Sequence, residues 1–522
     1  MQLYLKSSMQ FSPAFLLIAL PWLNPFTPGP SPAIVPLLFS WFCAAILLAL
    51  SGRLLPHGQP KSWLAEVAWA WLAAGLLSSA MGLYQYFGAD THYLPWINKT
   101  SLGEAFANLR QRNQFASLTN IALMSLIWIA AFFDNDAQLD LSKSKRIQLK
   151  IMLGATLLAM GNASSASRTG LLQLILICAL CGIWGLWRQR LVRNLLITTL
   201  VAYTVATLAL PWLAGFDLSL HGMSARLSAG DSVCASRLTL WSNVLHLITQ
   251  KPWWGWGWGE LDYAHYITLY EGPRFCEILD NAHNLPLHFA VEWGLPASLA
   301  ICGAFIWWVL LQKPWREVNP TRQLAWSVLA IILLHSMLEY PLWYGPFQMA
   351  FSLCLVMLWL TRVPSHVQPE LQKNASNNLL FSICRSSTAI ILIACIFYAS
   401  WDYRRISQIY MRPALRDAAY RSDTLEKIRG TWLFDNQVRF AELNITPLTR
   451  NNAEEVLRTA TAMLHYSPEP RVIEKVIESS LLLGLDSAAS AHMVRYRIAF
   501  PTEYARWVQS QKDKSTTQSA FR

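Results

Sequence analysis

The stretch AIVPLLFSWFCAAILLAL, residues 33–50, contains 18 residues in succession without a charge. An uncharged apolar run of roughly this length crosses the hydrocarbon core of a bilayer as a single helix. Comparable runs, several of them short or interrupted, recur up to about residue 401. They cover residues 11–23, 33–50, 63–87, 114–133, 151–161, 170–187, 195–214, 285–311, 324–339, 346–361 and 386–401. The pattern predicts about 11 transmembrane helices.

The composition of the 522-residue chain agrees with a membrane protein. Hydrophobic residues make up 54% of the chain and charged residues only 14%, whereas soluble domains carry roughly 25% charged residues. The 25 tryptophans suit a chain that passes the membrane–water interface many times. These values exclude an ordinary soluble enzyme. The predicted fold class is all-α, a polytopic integral membrane protein.

Lysine and arginine are distributed unevenly among the segments that join these runs. With the N-terminus on the cytoplasmic side, the inner segments hold 16 of them, beginning with Lys6, and the shorter outer loops hold four: Lys99, Arg110, Arg112 and Arg168. Cytoplasmic loops are enriched in these residues. The bias therefore supports this orientation, and it explains much of the net charge of +11 without a nucleic-acid partner.

Two polar segments lie on the outer side in this arrangement. A large loop at about 215–284 interrupts the membrane domain, residues 1–401, and a tail at 402–522 has the apolar spacing of helices. The tail is predicted to be a helical C-terminal domain with an accessory role. Cys234 and Cys276 in the loop form a disulfide in an oxidising compartment; two free thiols are the alternative.

Three outer motifs contain arginines that depart from the charge bias. Arg110 and Arg112 occur in NLRQRNQFA, Arg168 in NASSASRTG and Arg237 in SRLTLW. Guanidinium groups bind phosphates through paired planar donors and stay charged. A pyrophosphate site at the membrane surface is one interpretation of these arginines, and ordinary interfacial anchoring is the other.

His283 in DNAHNLPLHFAVEWG is the candidate general base. It is followed by Asn284, His288 and Glu292 at four-residue steps, on one face of a predicted helix. Histidine titrates near neutrality and accepts a proton from an attacking hydroxyl group. The alternative is that these side chains form hydrogen bonds between helices.

Other polar residues fall within or beside apolar runs. His335, Glu339 and Tyr340 lie in HSMLEYPLWY, and Gln173 is a lone amide in LLQLILIC; bonding between helices is the alternative to a functional role. The segment KPWWGWGWGELDYAHY has four tryptophans that suit either sugar stacking or the interface. The outer segments contain no Asp-x-Asp pair and the chain contains no phosphate loop, so no metal, cofactor or ATP-driven pump is predicted.

The order of the motifs RQRN, SASRTG, SRLTLW, KPWWGWGWG, DNAHN and HSMLEYPLWY resembles that of bacterial protein O-oligosaccharyltransferases of the PglL type. These enzymes belong to the wider superfamily of O-antigen ligases and Wzy polymerases. The resemblance covers about residues 80–400, and the tail is similar to the extra C-terminal region of the same subgroup. It implies a multi-pass protein of the bacterial inner membrane whose active site, loop and tail face the periplasm.

The resemblance implies en bloc transfer of an oligosaccharide from undecaprenyl diphosphate to a Ser or Thr hydroxyl of an exported protein, often a pilin. His283 matches the essential histidine of the family and is expected to act as general base or to orient the acceptor. The remaining site residues implied by the resemblance bind donor or acceptor: Arg112, Arg168, Arg237, Gln173, Asn284 and Tyr340. The three arginines are expected to hold the diphosphate and stabilise the leaving group.

Four other functions remain as alternatives. An O-antigen ligase transfers the glycan to lipid A core, and a Wzy polymerase joins lipid-linked repeat units. A flippase or transporter also buries charges, but no internal repeat is visible in the hydrophobic segments. A membrane scaffold with a partner-binding tail leaves the outer arginines and histidine unexplained.

Overall fold

A computed structural model describes residues 12–54, 60–134, 141–217, 222, 232–362 and 379–520. Three parts of these predictions lie outside the described residues. They are Lys6, residue 11 at the start of the first run, and part of the loop predicted at 215–284. Within the residues described, the regular elements are helices and no β-strand occurs. The all-α prediction is confirmed for this part of the chain.

The α-helices, numbered along the chain, are α1 (Pro13–Leu23), α2 (Ile34–Leu54), α3 (Pro60–Tyr86), α4 (Arg112–Asp134), α5 (Leu141–Ser164), α6 (Arg168–Ile183), α7 (Arg190–Leu213), α8 (Arg237–Gln250), α9 (Leu261–Ile267), α10 (Leu285–Trp293), α11 (Leu295–Gln312), α12 (Pro320–Ser336), α13 (Gly345–Leu360), α14 (Leu379–Ser407), α15 (Thr424–Ile428), α16 (Asp435–Ile445), α17 (Ala453–Leu464), α18 (Pro470–Leu482), α19 (Asp486–Ala499) and α20 (Pro501–Ala520). They fall into two compact units. The first is Met1–Gly230 with Val309–Ser400, and the second is Asp231–Trp308 with Trp401–Arg522.

Six described helical segments are long and apolar enough to cross a membrane. They lie in α2, α3, α4 and α7, in α11 with the turn after it, and in α14 with the turn after it. Three shorter apolar helices are α1, α6 and α13. The protein is therefore a polytopic membrane protein. The count of about 11 spans stays a prediction.

Helix α4 is the centre of the first unit. It packs against α3, α5, α6, α7 and α12, and 94% of its span is buried inside the protein. Small residues allow this close approach, because a Cβ on Gly170 in α6 would lie only 2.6 Å from the Cβ of Ala116 in α4. Close packing through small residues is the usual source of helix association in membranes.

The apolar run predicted at 285–311 is two helices rather than one. Gly294 separates α10 from α11 and has φ +86°, a conformation that L side chains rarely adopt. A Cβ at Gly294 would also overlap the carbonyl oxygen of Trp253. The candidate span therefore starts at Leu295, and α10 joins the core of the second unit.

The second unit has two apolar cores, and both include residues of α9. One core is formed by α8, α9 and α10, where Leu261 and Ala264 are buried. The other is formed by the helices of the tail, and it buries Tyr266. The hydroxyl group of Tyr266 is hydrogen-bonded to Nδ1 of His492 in α19 at 2.9 Å. The short helix α9 thus packs into both the loop and the tail.

The loop segment of this unit is closed by a disulfide between Cys234 and Cys276, whose Cα atoms are 5.2 Å apart. The backbone N–H of Cys276 also donates to the carbonyl oxygen of Cys234. Of the two alternatives for these cysteines, the structure has the disulfide. Unit 2 therefore combines parts of the predicted loop and the predicted tail, while the functional division at 401/402 stays a prediction.

Candidate active site

Three of the sequence motifs meet in the first unit. Ser167 of SASRTG donates from Oγ to Oδ1 of Asn113 in RQRN at 2.6 Å. Asn113 in turn donates from Nδ2 to Glu339 of HSMLEYPLWY at 3.3 Å, and Gln111 donates to the other oxygen of that carboxylate at 3.1 Å. These three motifs, which lie far apart in the sequence, thus form one hydrogen-bonded cluster in unit 1.

The local sequence places these groups at helix ends. Helix α4 begins at Arg112, immediately after Gln111. Helix α6 begins at Arg168, and Ser167 caps it by accepting a hydrogen bond from the N–H of Gly170 at 3.0 Å. Serine is a favoured residue at this position because its oxygen satisfies an unpaired helix N–H.

Gln173 lies one turn and a half into α6 and is fully buried. Its Nε2 donates to Oγ of Ser117 at 2.7 Å and to the carbonyl oxygen of Ile331 at 3.1 Å. Its Oε1 accepts from Asn120 at 3.1 Å. The side chain therefore makes the bonds between helices that were the alternative to its predicted binding role, which stays a prediction.

The other predicted residues of unit 1 surround this cluster. Arg112 forms an ion pair with Glu104, so its charge is largely neutralised. Arg168 adjoins Ser167, and Tyr340 follows Glu339 and stacks its ring on that of Tyr344 at 6.1 Å between centroids. Arg112, Arg168 and Tyr340 are thus each next in sequence to a member of the same hydrogen-bonded cluster.

His283 belongs to the second unit and sits in a tight turn. Its φ is +50°, a left-handed conformation that is uncommon for residues other than glycine and often marks functional sites. The turn is held by Oδ1 of Asn281, which accepts from the N–H of His283 at 2.8 Å. Asn284 follows as the cap of α10, accepting from the N–H of Leu287 at 3.1 Å.

Arg237 is the first residue of α8, and its motif contacts the histidine motif. Ser236 caps α8 by accepting from the N–H of Thr239. One turn on, Nε1 of Trp241 donates to the carbonyl oxygen of Ala282 at 3.2 Å, directly before His283. The SRLTLW and DNAHN motifs are therefore adjacent in unit 2.

The predicted stripe of polar residues continues along α10 and ends with it. His288 and Glu292 are both buried, with Nε2 and Oε2 3.6 Å apart. The other oxygen of Glu292 accepts from the N–H of Gly259 at 2.9 Å. The tryptophan-rich segment is thereby joined to α10, and Trp253 and Trp254 remain exposed.

Three family models match consecutive parts of the chain. A model described as "Protein glycosylation ligase" matches residues 105–130, which contain RQRN. A model described as "O-Antigen ligase" matches residues 153–302, which contain the SASRTG, SRLTLW and DNAHN motifs. A third, "Virulence factor membrane-bound polymerase, C-terminal", matches residues 323–514.

Two relatives from Acinetobacter baylyi (strain ATCC 33305 / BD413 / ADP1) are similar over most of the chain. The General O-oligosaccharyltransferase is 21% identical over 403 residues, which are 74% of this chain but only 65% of that protein. The ComP-specific O-oligosaccharyltransferase is 22% identical over 443 residues, 82% of this chain and 74% of that protein. The chain is therefore similar to the PglL-type O-oligosaccharyltransferases of the O-antigen ligase family. The resemblance to this enzyme family inferred from the motifs is confirmed.

Several buried polar residues were not singled out from the sequence. Asn120 is buried in the middle of α4 and donates to the carbonyl oxygen of Gly170 as well as to Gln173, while its own Oδ1 accepts from Asn162 at 3.1 Å. The available signal was the spacing of Ser117 and Asn120, which are three residues apart and therefore lie on one face of the helix. Within the described residues no group of three or more metal-ligating side chains gathers.

Proposed function

We propose that this enzyme transfers an oligosaccharide en bloc from undecaprenyl diphosphate to a Ser or Thr hydroxyl of an exported protein such as a pilin. The observation that carries the proposal is the match of residues 105–130 to a protein glycosylation ligase. Asn113 within that match is hydrogen-bonded to Ser167 and Glu339 of two other family motifs.

The proposed location is the bacterial inner membrane, with the loop and the tail in the periplasm. The uneven distribution of lysine and arginine supports this orientation. The disulfide between Cys234 and Cys276 supports it as well, because such bonds persist in oxidising compartments like the periplasm.

In the proposed reaction His283 accepts the proton of the acceptor hydroxyl. The hydroxyl oxygen then attacks the anomeric carbon, and the bond from that carbon to the diphosphate oxygen breaks. Undecaprenyl diphosphate leaves with the bonding electrons, and Arg168 and Arg237 stabilise its charge. Arg112 is the third arginine predicted for this role, although its pairing with Glu104 leaves less of its charge for a phosphate. Asn284, Gln173 and Tyr340 are proposed to position the substrates.

An O-antigen ligase is the second candidate. It is favoured by the match of residues 153–302 to the O-antigen ligase model, since this range contains Arg168, Arg237 and His283. Its donor chemistry is the same, and only the acceptor changes from a protein hydroxyl to a sugar hydroxyl of lipid A core.

The test is a transfer assay with purified full-length protein and undecaprenyl-diphosphate oligosaccharide. Parallel reactions contain a pilin-type protein or a lipid A core acceptor. We expect glycan on the protein, and we expect His283→Ala to slow the transfer by roughly 10²–10⁴-fold, the usual contribution of a positioned base. His246→Ala, at an exposed histidine of α8, is the matched control and should retain normal turnover.

Each other result changes the assignment. Glycan found only on the lipid acceptor makes the protein an O-antigen ligase. Transfer to neither acceptor rejects both candidates and leaves the polymerase and transporter functions. Normal turnover of His283→Ala removes His283 from the catalytic role.

A further inference from the structure

A cavity of about 600 Å³ opens in the first unit, and its lining does not include Arg112 or Arg168. Its wall includes Asn24 at the end of α1, Gln114 in the first turn of α4, and Tyr344 and Pro346 at the start of α13. Residues from the segments 27–36 and 98–110 provide the rest of the wall. Three apolar helices thus end or begin at the cavity, and they place it near one end of the helices.

Two cations line this cavity. Lys99 and Arg110 are both exposed, and neither is paired with a carboxylate of the described residues. Arg112, two residues further on, is instead paired with Glu104. Of the two arginines in RQRN, the one whose charge is not neutralised is therefore the one that faces the cavity.

Gln114 adds a buried donor to the same wall. The side chain is 1% exposed, and its Nε2 has no hydrogen-bond partner among the residues that the structure describes. Leaving a buried donor unsatisfied costs about 1–3 kcal/mol, so such a group calls for an explanation. An acceptor bound in the cavity supplies one.

We propose that this cavity is a binding site for a phosphate group of a lipid, held by Lys99, Arg110 and Gln114. Two cations and an amide donor match the charge and the acceptor oxygens of a phosphate. The N-termini of α4 and α13 face the same region, and the partial positive charge of a helix N-terminus attracts anions. The prolines of the wall suit the apolar part of such a ligand.

The proposal rests in part on the proposed function, because the diphosphate of the lipid-linked donor is one source of such a group. The headgroup of an anionic phospholipid is the other source with the same chemistry. Both are tethered to the bilayer, as the position of the cavity at the helix ends requires. Arg112 is not part of this site, and its guanidinium group is paired with Glu104.

The test measures binding rather than turnover. Full-length protein in nanodiscs of zwitterionic lipid is titrated with farnesyl diphosphate, with short-chain phosphatidylglycerol and with inorganic phosphate. The variants are the double substitution Lys99→Gln/Arg110→Gln, Arg112→Gln, and the control Lys150→Gln, which removes an exposed cation of α5 outside the cavity. We expect Lys99→Gln/Arg110→Gln to weaken the affinity for the tightest-binding probe at least tenfold, and Lys150→Gln to leave that affinity unchanged.

A second variant, Gln114→Met, separates binding from folding. It removes the buried donor at nearly constant volume, so we expect binding to weaken severalfold while the melting temperature of the ligand-free protein stays equal or rises. A purely structural role for Gln114 predicts the opposite, a lower melting temperature with unchanged affinity.

The probes distinguish the source of the phosphate. If farnesyl diphosphate binds more tightly than phosphatidylglycerol, and the double variant loses this binding, the site belongs to the donor. If phosphatidylglycerol binds more tightly than farnesyl diphosphate, and the double variant loses this binding, the site belongs to a membrane lipid. Absence of binding by all three probes overturns the proposal, as does unchanged affinity in the double variant with loss in Arg112→Gln. Because binding is measured without an acceptor, a wild-type protein that binds the probe but transfers no glycan would contradict only the proposed function.

Discussion

Two buried polar clusters, one in each unit, avoid buried charge by different means. In the amide cluster of unit 1, Ser117, Asn120, Asn162 and Gln173 bond to one another through amide and hydroxyl groups, and Ser117 also bonds to Nδ1 of the buried His335 at 2.9 Å. The cluster lies among the apolar helices α4, α5 and α6. Charged side chains are costly at such depth, whereas amides and hydroxyls that bond to one another are tolerated.

The α9 cluster of unit 2 is built from ionisable side chains: His265 is hydrogen-bonded to Tyr270, Arg274 donates to the carbonyl oxygen of His265, and the buried Asp262 lies one turn earlier in α9. Burial raises the pKa of Asp262 to about 8, and the nearby Asp280 and Glu260 add to the shift. Burial lowers the pKa of His265 to about 3, and the charge of Arg274 acts in the same direction. At neutral pH both side chains are therefore mostly uncharged.

The hydrogen bonds of His265 agree with the neutral ring. Its Nε2 lies 3.1 Å from the carbonyl oxygen of Phe275, which accepts a hydrogen bond, and its Nδ1 lies 2.8 Å from the hydroxyl group of Tyr270, which donates one. A single neutral tautomer satisfies both bonds. Burial thus selects uncharged groups in both units, but in unit 2 it does so by shifting the pKa values of Asp262 and His265.

The largest expected effect concerns the disulfide, which constrains only unit 2. Because Cys234 and Cys276 are both exposed, the double substitution Cys234→Ser/Cys276→Ser leaves no cavity and acts mainly through the unfolded chain. For the sequence separation of 42 residues, the loss of this cross-link is expected to destabilise the unit by about 4 kcal/mol.

Limited proteolysis during thermal unfolding, with the fragments assigned by mass spectrometry, checks this prediction. Cleavage within 232–308 should begin at a lower temperature, while cleavage within α4 should not. Cys384→Ser, at an exposed free cysteine of unit 1, is the control. Equal destabilisation of both units would contradict an effect confined to unit 2.

A smaller effect is expected in the amide cluster. Asn120→Leu removes two donated hydrogen bonds and one accepted bond. Bonds between membrane helices are worth roughly 0.6 kcal/mol each on average, so we expect a loss of about 2 kcal/mol that is the same at pH 6 and pH 9.

The unfolding midpoint in detergent at these two pH values is the measurement. Thr204→Leu is the matched control, because Thr204 is exposed on α7 and bonds only within its own helix; its midpoint should hardly change. A strong pH dependence of Asn120→Leu would show that a titrating group stabilises the cluster.

The smallest effect at neutral pH is expected for Asp262→Asn. The folded pKa of about 8 lies above that of an unfolded aspartate near 4, so the folded state holds an extra proton between these values. The contribution of Asp262 is therefore fully present below about pH 4 and is lost as the pH rises through about 8.

Asparagine does not ionise, so the variant should lack this slope. Relative to the wild type, we expect the stability of unit 2 in Asp262→Asn to rise by about 2 kcal/mol between pH 6 and pH 8. Proteolysis of unit 2 across this range checks it. A constant difference between the two proteins would mean that Asp262 is ionised throughout.

Much of the fold and part of the candidate site were accessible from the sequence. The apolar runs predicted the helices, and the motifs around Arg112, Arg168, Arg237 and His283 predicted the family. Both kinds of signal are local, because a run of apolar side chains partitions out of water whatever its neighbours are. The run at 285–311 failed as one helix because Gly294 packs against the backbone of Trp253, a contact that the run itself does not encode.

The hydrogen-bond partner of each polar group depends on the packing of segments that are far apart in the chain. Asn113 is joined to Glu339 across 226 positions, and Tyr266 to His492 across 226 positions. Arg110 and Arg112 look equivalent in RQRN, yet one lines a cavity and the other is paired with Glu104. Solvation and backbone preference act residue by residue and are legible in the sequence, whereas hydrogen-bond partners and charge pairing exist only once the distant helices have packed.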